Sequence, residues 1–387
     1  MVEISEREQE LPDLEIEKLI EIAVEHPEII SLGPGEPDFD LHQDLVKHTK
    51  KIAHLVNHYA PAGGLKELRE ALAKKLKKDN KIKVDPDNVV VTCGSQDALV
   101  LGAACCLDVS EQIILPNPGY MAFLSTFELF NANPRFVELK EKDDYAMNPD
   151  LIKKVINKKK TKVLLINSPS NPTGNVMTKK ILEEIADIVV DNDLYVFSDE
   201  AYEKILFDDA KHYSIGSFNG MQDYAVTFQT FSKSFAMCGH RLGYVAAPPE
   251  LAEAIKKTHV LTTVCAPTIS QLIGIKALKM GEKHAKQMVK EYTRRRKLIV
   301  PRLNEMGISC PMPKGAFYAF GNIQYYDKSS KRFVLNMIKK AKVAAVPGID
   351  FGTAGEGHVR FSFATDYKLI QKALDRMEPW LKKYKKR

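Results

Sequence analysis

Lys233 is the side chain around which chemistry can be argued. It stands in Thr230-Phe231-Ser232-Lys233-Ser234-Phe235, between the apolar runs Ala225–Phe228 and Leu242–Ala247. Both runs have strand length and β-branched or aromatic content, so the lysine falls in a short connection between two buried strands. Apolar neighbours such as Phe231 and Phe235 disfavour an ammonium and lower a lysine pKa. A neutral amine attacks carbonyl carbon, whereas an ammonium does not. Arg241, a little further on, offers a permanent charged fork suited to a phosphate. The pair points to a phosphorylated aldehyde, with its carbonyl at Lys233 and its phosphate at Arg241. Alone, one lysine among 56 Lys and Arg decides nothing.

The elements that must position these groups alternate along the chain. Val89–Thr92 reads as a buried strand that passes through Cys93-Gly94-Ser95-Gln96-Asp97 into an apolar helix, Ala98–Leu107. Free N–H groups and the helix dipole make such a junction an anion site. Neither Gly-x-Gly-x-x-Gly nor a Walker lysine occurs, so a nucleotide is not indicated. Strands are expected at Gln112–Leu115, Arg135–Leu139, Val163–Asn167, Leu194–Ser198, Ala225–Phe228 and Leu242–Ala246. Helices fit Asp150–Asn157, Lys179–Asp191 and Pro249–Lys257. This βα alternation predicts an α/β fold with a largely parallel, helix-covered sheet. Ligands of such sheets lie beyond the carboxyl ends of the strands. Ser95, Tyr120, Asn171, Asp199, Tyr202 and Lys233 all fall there.

Outside that alternation, Ile16–Val24 has helical apolar spacing, and Gly33-Pro34-Gly35-Glu36-Pro37-Asp38-Phe39 is a rigid loop. Leu65, Leu68, Leu72 and Leu76 form the stripe of an amphipathic helix. Pro267 to about Met306 reads as one long helical stretch leading into a smaller α+β part. That part has strand-like runs Ala316–Gly321, Val343–Val346 and His358–Phe363, with helices Lys331–Ala341 and Tyr367–Tyr384.

Composition excludes several classes. The net charge of +6 is concentrated in Lys158-Lys159-Lys160 and the tail from Lys382, with no aromatic residues interleaved, so nucleic-acid binding is not expected. The six cysteines lack Cys-x-x-Cys and framework spacing, so they read as reduced, buried thiols. The ten histidines form no His-Glu-x-x-His, and no metal is expected. Met1–Glu10 is polar and acidic rather than a signal peptide, and no apolar run reaches the roughly 18 residues of a membrane span. A cytoplasmic enzyme is the expectation.

The motifs, taken together, resemble the fold-type I pyridoxal-phosphate enzymes, within them the class I aminotransferases of aspartate/aromatic type. They are Gly-Glu-Pro-Asp-Phe at 35–39, Tyr-Ala-Pro at 59–61, Asn-Pro-Thr-Gly at 171–174 and Asp-Glu-Ala-Tyr at 199–202. Ser-Lys at 232–233, Gly-x-Arg-x-Gly at 239–243 and Val-Arg-Phe-Ser at 359–362 follow in the family's order. The resemblance implies a large domain over 45–295 with a seven-stranded, mostly parallel sheet, and a small domain from 15–44 and 296–387. Residues 1–14 would be an N-terminal arm. It also implies pyridoxal 5′-phosphate as cofactor and a homodimer with a shared site.

The implied roles agree with the chemistry above. Lys233 would hold the cofactor aldehyde as a Schiff base and then move the proton between the substrate Cα and the cofactor's aldehyde carbon. Asp199 would keep the pyridine nitrogen protonated, which makes the ring an electron sink. Tyr202 and Asn171 would bond the phenolic oxygen, and Tyr120 would stack on the ring. Ser95, Gln96, Thr230 and Arg241 would cradle the phosphate, with Tyr59 reaching across from a second subunit. Arg360 would grip the substrate α-carboxylate beside the Gly35 backbone. Singly, Asp199 reads equally as a helix cap, Asn171 as a turn residue and Arg360 as an edge-strand charge.

The reaction implied is transamination between an L-amino acid and a 2-oxo acid such as 2-oxoglutarate. A carbon–sulfur lyase of the same fold and a non-catalytic regulator are the alternatives. In aspartate-using relatives the position of Gln96 can be a lysine that pairs with the substrate's second carboxylate. Glutamine brings no charge, so aromatic or neutral substrates are favoured, with Tyr120, Phe39 and Phe317 as apolar walls and aspartate as the alternative.

Overall fold

The computed structural model describes residues 4, 5, 8, 9 and 25–384. The helix expected at Ile16–Val24 lies outside the described residues. Strand β1 (Ile30–Ser31) comes first, and seven further strands build the main sheet: β2 (Val89–Thr92), β3 (Gln112–Asn117), β4 (Asn133–Glu138), β5 (Thr161–Asn167), β6 (Tyr195–Asp199), β7 (Ala225–Thr230) and β8 (Gly243–Ala246). Their order is β2-β8-β7-β6-β5-β3-β4. All neighbours run parallel except that β8 is antiparallel to both β2 and β7. Every strand anticipated for this sheet is present within a few residues.

Successive residues of β5 serve opposite faces, as a pleated strand requires. Val163 and Leu165 pack with Phe197, Phe228 and Val245 against the helices Ser95–Cys106 and Pro249–Thr262. Leu164 and Ile166 pack with Val196 against Leu182, Ile185 and Val189 of the helix Lys179–Asp191. A strand covered on both sides must be apolar throughout, which is why these strands read as runs rather than alternations. The predicted stripe of Leu68 and Leu72, in the helix Lys66–Lys75, is buried against Val89, Val91 and Tyr244.

The remaining strands are β9 (Tyr318–Asn322), β10 (Val343–Ala344), β11 (Val346–Pro347) and β12 (His358–Ser362). Two expectations change here. The run Val343–Val346 is two strands, not one: Val343 and Ala344 pair with Ile30 and Ser31, whereas Val346 and Pro347 pair with Arg360 and Val359 of β12. The chain crosses between two small sheets at Ala345. The stretch from Pro267 to Met306 divides at Gly281 into the helices Thr268–Met280 and Lys283–Glu305. All six cysteines are free, as expected, but only Cys310 is fully buried. No helix among the described residues is long and apolar enough to cross a membrane.

Candidate active site

The carboxyl ends of the parallel strands open into a cavity of about 660 Å³. Asp199 ends β6 and Thr230 ends β7; Lys233 follows in the single turn Phe231–Ser234. Tyr120 follows β3, Asn171 follows β5, Ser95 and Gln96 follow β2, and Arg360 reaches in from β12. All of these, with Gly35, Tyr202 and Arg241, line this one cavity. Tyr59 does not: it is 84% exposed and absent from the lining of this cavity. A larger cavity of about 1030 Å³ lies behind Thr230, Phe231 and Ser234. Asp199, Lys233, Arg241 and Arg360 are absent from its lining, so it is not where the chemistry converges.

At the β2 end, the helix Ser95–Cys106 begins without a capping side chain after Gly94, whose φ is +93°. Its first amides are therefore free for an anion. β8 passes so close that a Cβ on Gly243 would lie 2.6 Å from the Ser95 nitrogen. Only glycine allows that approach. Arg241 brings its guanidinium to the same helix start, where a Cβ on Gly94 would meet Nη2 at 2.8 Å. Its Nη1 donates to the Cys238 carbonyl at 3.0 Å. The Thr230 and Ser232 hydroxyls, 2.9 Å apart, complete this end.

At the centre, Lys233 Nζ donates to the Gly35 carbonyl at 2.6 Å and lies 5.9 Å from the Tyr202 ring. Burial lowers its pKa, as the apolar connection led one to expect. Asp199 accepts one backbone N–H, from Ala201 at 3.0 Å, and forms no ion pair among the described residues. Burial pushes its carboxyl up to about 6, against the pull of that N–H and of Lys233. Asn167 ties two site elements together: its Nδ2 donates to the Asp199 carbonyl and its Oδ1 accepts from the Asn171 N–H.

Opposite, Arg360 is 1% exposed. Nη1 donates to Asn171 Oδ1 at 3.1 Å and Nη2 to the Gly33 carbonyl at 2.6 Å, while Nε has no partner. The guanidinium lies 4.4 Å from the Tyr318 ring. Tyr202 and Tyr318 share a hydroxyl contact of 2.7 Å, and burial raises the Tyr202 pKa.

Several lining residues were not singled out in the sequence. Ser232, Glu36, Cys238, Met121, Ala122 and Tyr318 all reach the cavity. Ser232 was legible as the neighbour of Lys233; Tyr318 and Met121 carry no local signal. Two expected walls are corrected. Phe317 is wholly buried in the core behind Tyr202 and Tyr292, and Phe39 packs edge-on against Tyr292. Both follow from packing: each fills the space behind the lining rather than the lining itself.

Known proteins bear on this arrangement. The family description for aminotransferases of class I and II matches residues 27–377. The chain is 45% identical to an aspartate aminotransferase of Pyrococcus abyssi, over 96% of each chain. It is 42% identical to an aromatic-amino-acid aminotransferase of Thermococcus litoralis, over 99% of each. Among solved structures, the aromatic aminotransferase of Pyrococcus horikoshii superposes with a TM-score of 0.90 at 45% identity, covering 95% of this chain and 99% of that one. The aspartate aminotransferase of Thermus thermophilus with maleate gives 0.93 at 31% identity, covering 98% of this chain and all of that one. The fold is that of the type I transferases. With its lysine, aspartate and arginine gathered at the strand ends, the chain belongs to the class I and II aminotransferases and is an aminotransferase.

Proposed function

We propose that this cavity holds pyridoxal 5′-phosphate and transfers an amino group between an L-amino acid, aromatic or neutral by preference, and a 2-oxo acid such as 2-oxoglutarate. The observation that carries the reading is Asp199: a carboxylate shut in the cavity, without a cation, facing the lysine. Such a group fits a cationic ring nitrogen, which would draw its carboxyl back down. The uncapped helix start at Ser95 and Gln96, the Arg241 fork and the Thr230 hydroxyl fit a phosphate. When bound, the cofactor supplies an electron sink for the charge that develops on the substrate Cα.

The chain's own residues then have separable tasks. Lys233, whose amine burial makes easier to deprotonate, would hold the aldehyde and afterwards move the proton at the substrate Cα. Asp199 keeps the ring nitrogen protonated. Tyr202, whose pKa burial raises, and Asn171 would bond the ring oxygen, and Tyr120 would cover the ring. Arg360, with Nε unpartnered, takes the α-carboxylate beside the Gly35 backbone. The active assembly is a homodimer in which Tyr59 serves the neighbouring site. Exposed Leu55 (59%), Tyr59 (84%) and Leu261 (79%) support this, since single chains seldom leave such side chains bare together. A hydrogen bond from the Thr268 hydroxyl to the His58 carbonyl ties the segment beside Tyr59 to the start of the helix Thr268–Met280.

The substrate preference rests on charge. Among the described residues, the only basic side chains lining the cavity are Lys233, Arg241 and Arg360. Gln96 donates to Thr126 at 2.9 Å and offers a second carboxylate no charge. Met121, Ala122 and Tyr318 present apolar surface instead. The relatives' names divide between aspartate and aromatic substrates, so aspartate is the second reading. Half-reactions with phenylalanine, methionine and aspartate decide between them. A tenfold or greater advantage in kcat/KM for aspartate, about 1.4 kcal/mol, would overturn the preference.

A further inference from the structure

Away from the cavity, behind the start of the helix Ser95–Cys106, three side chains from separate segments converge. They are Cys93 after β2, Asp97 in the first turn of that helix, and His259 near the end of the helix Pro249–Thr262. One ligating atom from each lies within 4.8 Å of the other two. His259 is wholly buried. Its Nδ1 faces the Ala62 carbonyl at 2.9 Å. A carbonyl only accepts, so Nδ1 carries a proton there. Nε2 is buried, faces the Asp97 carboxylate at 3.3 Å and the Cys93 thiol, and makes no hydrogen bond of good geometry with either.

We propose that Cys93, Asp97 and His259 bind a divalent cation of borderline softness, zinc above all. Thiolate, imidazole and carboxylate are the donors zinc takes, with bonds of about 2.3, 2.0 and 2.1 Å and tetrahedral angles. Two bonds of about 2.0–2.1 Å at that angle set their donor atoms roughly 3.3 Å apart. His259 Nε2 and Asp97 Oδ2 are 3.3 Å apart. The supporting contacts also have the form expected around a metal. Nδ1–H on a backbone carbonyl fixes the imidazole, and the Cys93 N–H, donating to Asp97 Oδ2 at 2.8 Å, fixes the carboxylate. Cys93 and Asp97 are half-buried, which leaves room for a water as fourth ligand.

A second cluster, Glu200, Glu203 and His212, meets the same distance test but differs in kind. Glu200 accepts from Asn80, Ser198, Ser214 and Gln229, and Glu203 is paired with Lys75. Protein donors already occupy its oxygens. On binding zinc, Cys93 loses its thiol proton to solvent, and the metal ties the helix start at Ser95 to the Ala62 loop. This inference stands independently of the cofactor reading.

Elemental analysis of the full chain, purified without chelator and titrated with zinc, tests it. One zinc per chain is expected, and Cys93→Ser should weaken zinc binding by at least about tenfold. Cobalt substitution of the unaltered protein needs no variant: tetrahedral d–d bands with a thiolate-to-cobalt charge-transfer band are expected. Absence of stoichiometric metal at micromolar free zinc, zinc binding unchanged by Cys93→Ser, or a cobalt spectrum without the thiolate band would each overturn the proposal. His259→Gln should abolish binding; if it fails to fold, the cobalt spectrum still decides.

Discussion

Asp199 and Glu200 are adjacent in sequence and both carboxylates, yet they live in opposite circumstances. Asp199 faces the cavity with one backbone N–H as its partner, and its carboxyl is pushed up to about 6. Glu200, 1% exposed, faces the other way and accepts from side chains of Asn80, Ser198, Ser214 and Gln229, with His212 at 3.0 Å. Close by, burial would raise the Glu203 carboxyl, but Lys75 and Lys204 overcome it and hold it at about 2. One region is complete without a ligand. Asp199 has a single backbone N–H as partner, which suits it to the ring cation proposed for the site, whereas Glu200 is held within the protein.

Breaking the reactive side has the largest expected effect. Lys233→Ala should lose turnover by orders of magnitude if, as proposed, one amine serves as covalent anchor and base. Borohydride reduction of the cofactor-loaded protein should label the peptide that contains Lys233, and label on another lysine would sink the assignment. Asp199→Asn should cripple turnover more than cofactor binding, since an amide cannot offset a ring cation.

The network should respond in stability instead. Glu203→Gln removes the carboxylate paired with buried Lys75, at a cost of about 3–5 kcal/mol. Thermal or urea unfolding measures it. Substrate saturation should be nearly unchanged in the molecules that remain folded; a large rise in KM would mean that the two regions are coupled.

Arg360→Lys sharpens the contrast within the site. Lysine keeps the charge but loses the planar fork, so kcat/KM should fall about ten- to a hundredfold through KM, with kcat less affected. Equal kcat/KM for the variant would remove Arg360 as the carboxylate anchor.

The smallest effect is on the cofactor-free protein. A carboxyl with a folded pKa near 6, above its unfolded value of about 3.9, binds more protons in the folded state. Its contribution therefore falls as pH rises from about 4 to about 6. Cofactor-free Asp199→Asn should gain stability relative to the unaltered chain at pH 7 and lose that advantage near pH 4. A pH-independent difference would argue that Asp199 is paired in the empty site.

What the amino-acid sequence determined by itself was local. The run lengths of Val163–Asn167 and its companions specify strands, because a chain buried on both faces must be apolar at every position. The short connection with Lys233, the Gly94 junction and the turn around Asn171 place chemistry at strand ends for the same reason. What the tertiary structure decided depends on contacts between distant segments. Asn80 meets Glu200 across 120 residues, and Lys75 meets Gln229 across 154. No periodicity records such a meeting. That Tyr318 lines the cavity while Phe317, just before β9, packs on Tyr292 and Tyr202 depends on where those distant rings stand. That Val346 leaves β10's partner for β12 depends on where the second sheet stands. Cys93 and His259 acquire meaning only when two helices bring them together. Local patterning fixes which groups a segment can bury; only the packed fold fixes which groups bury each other.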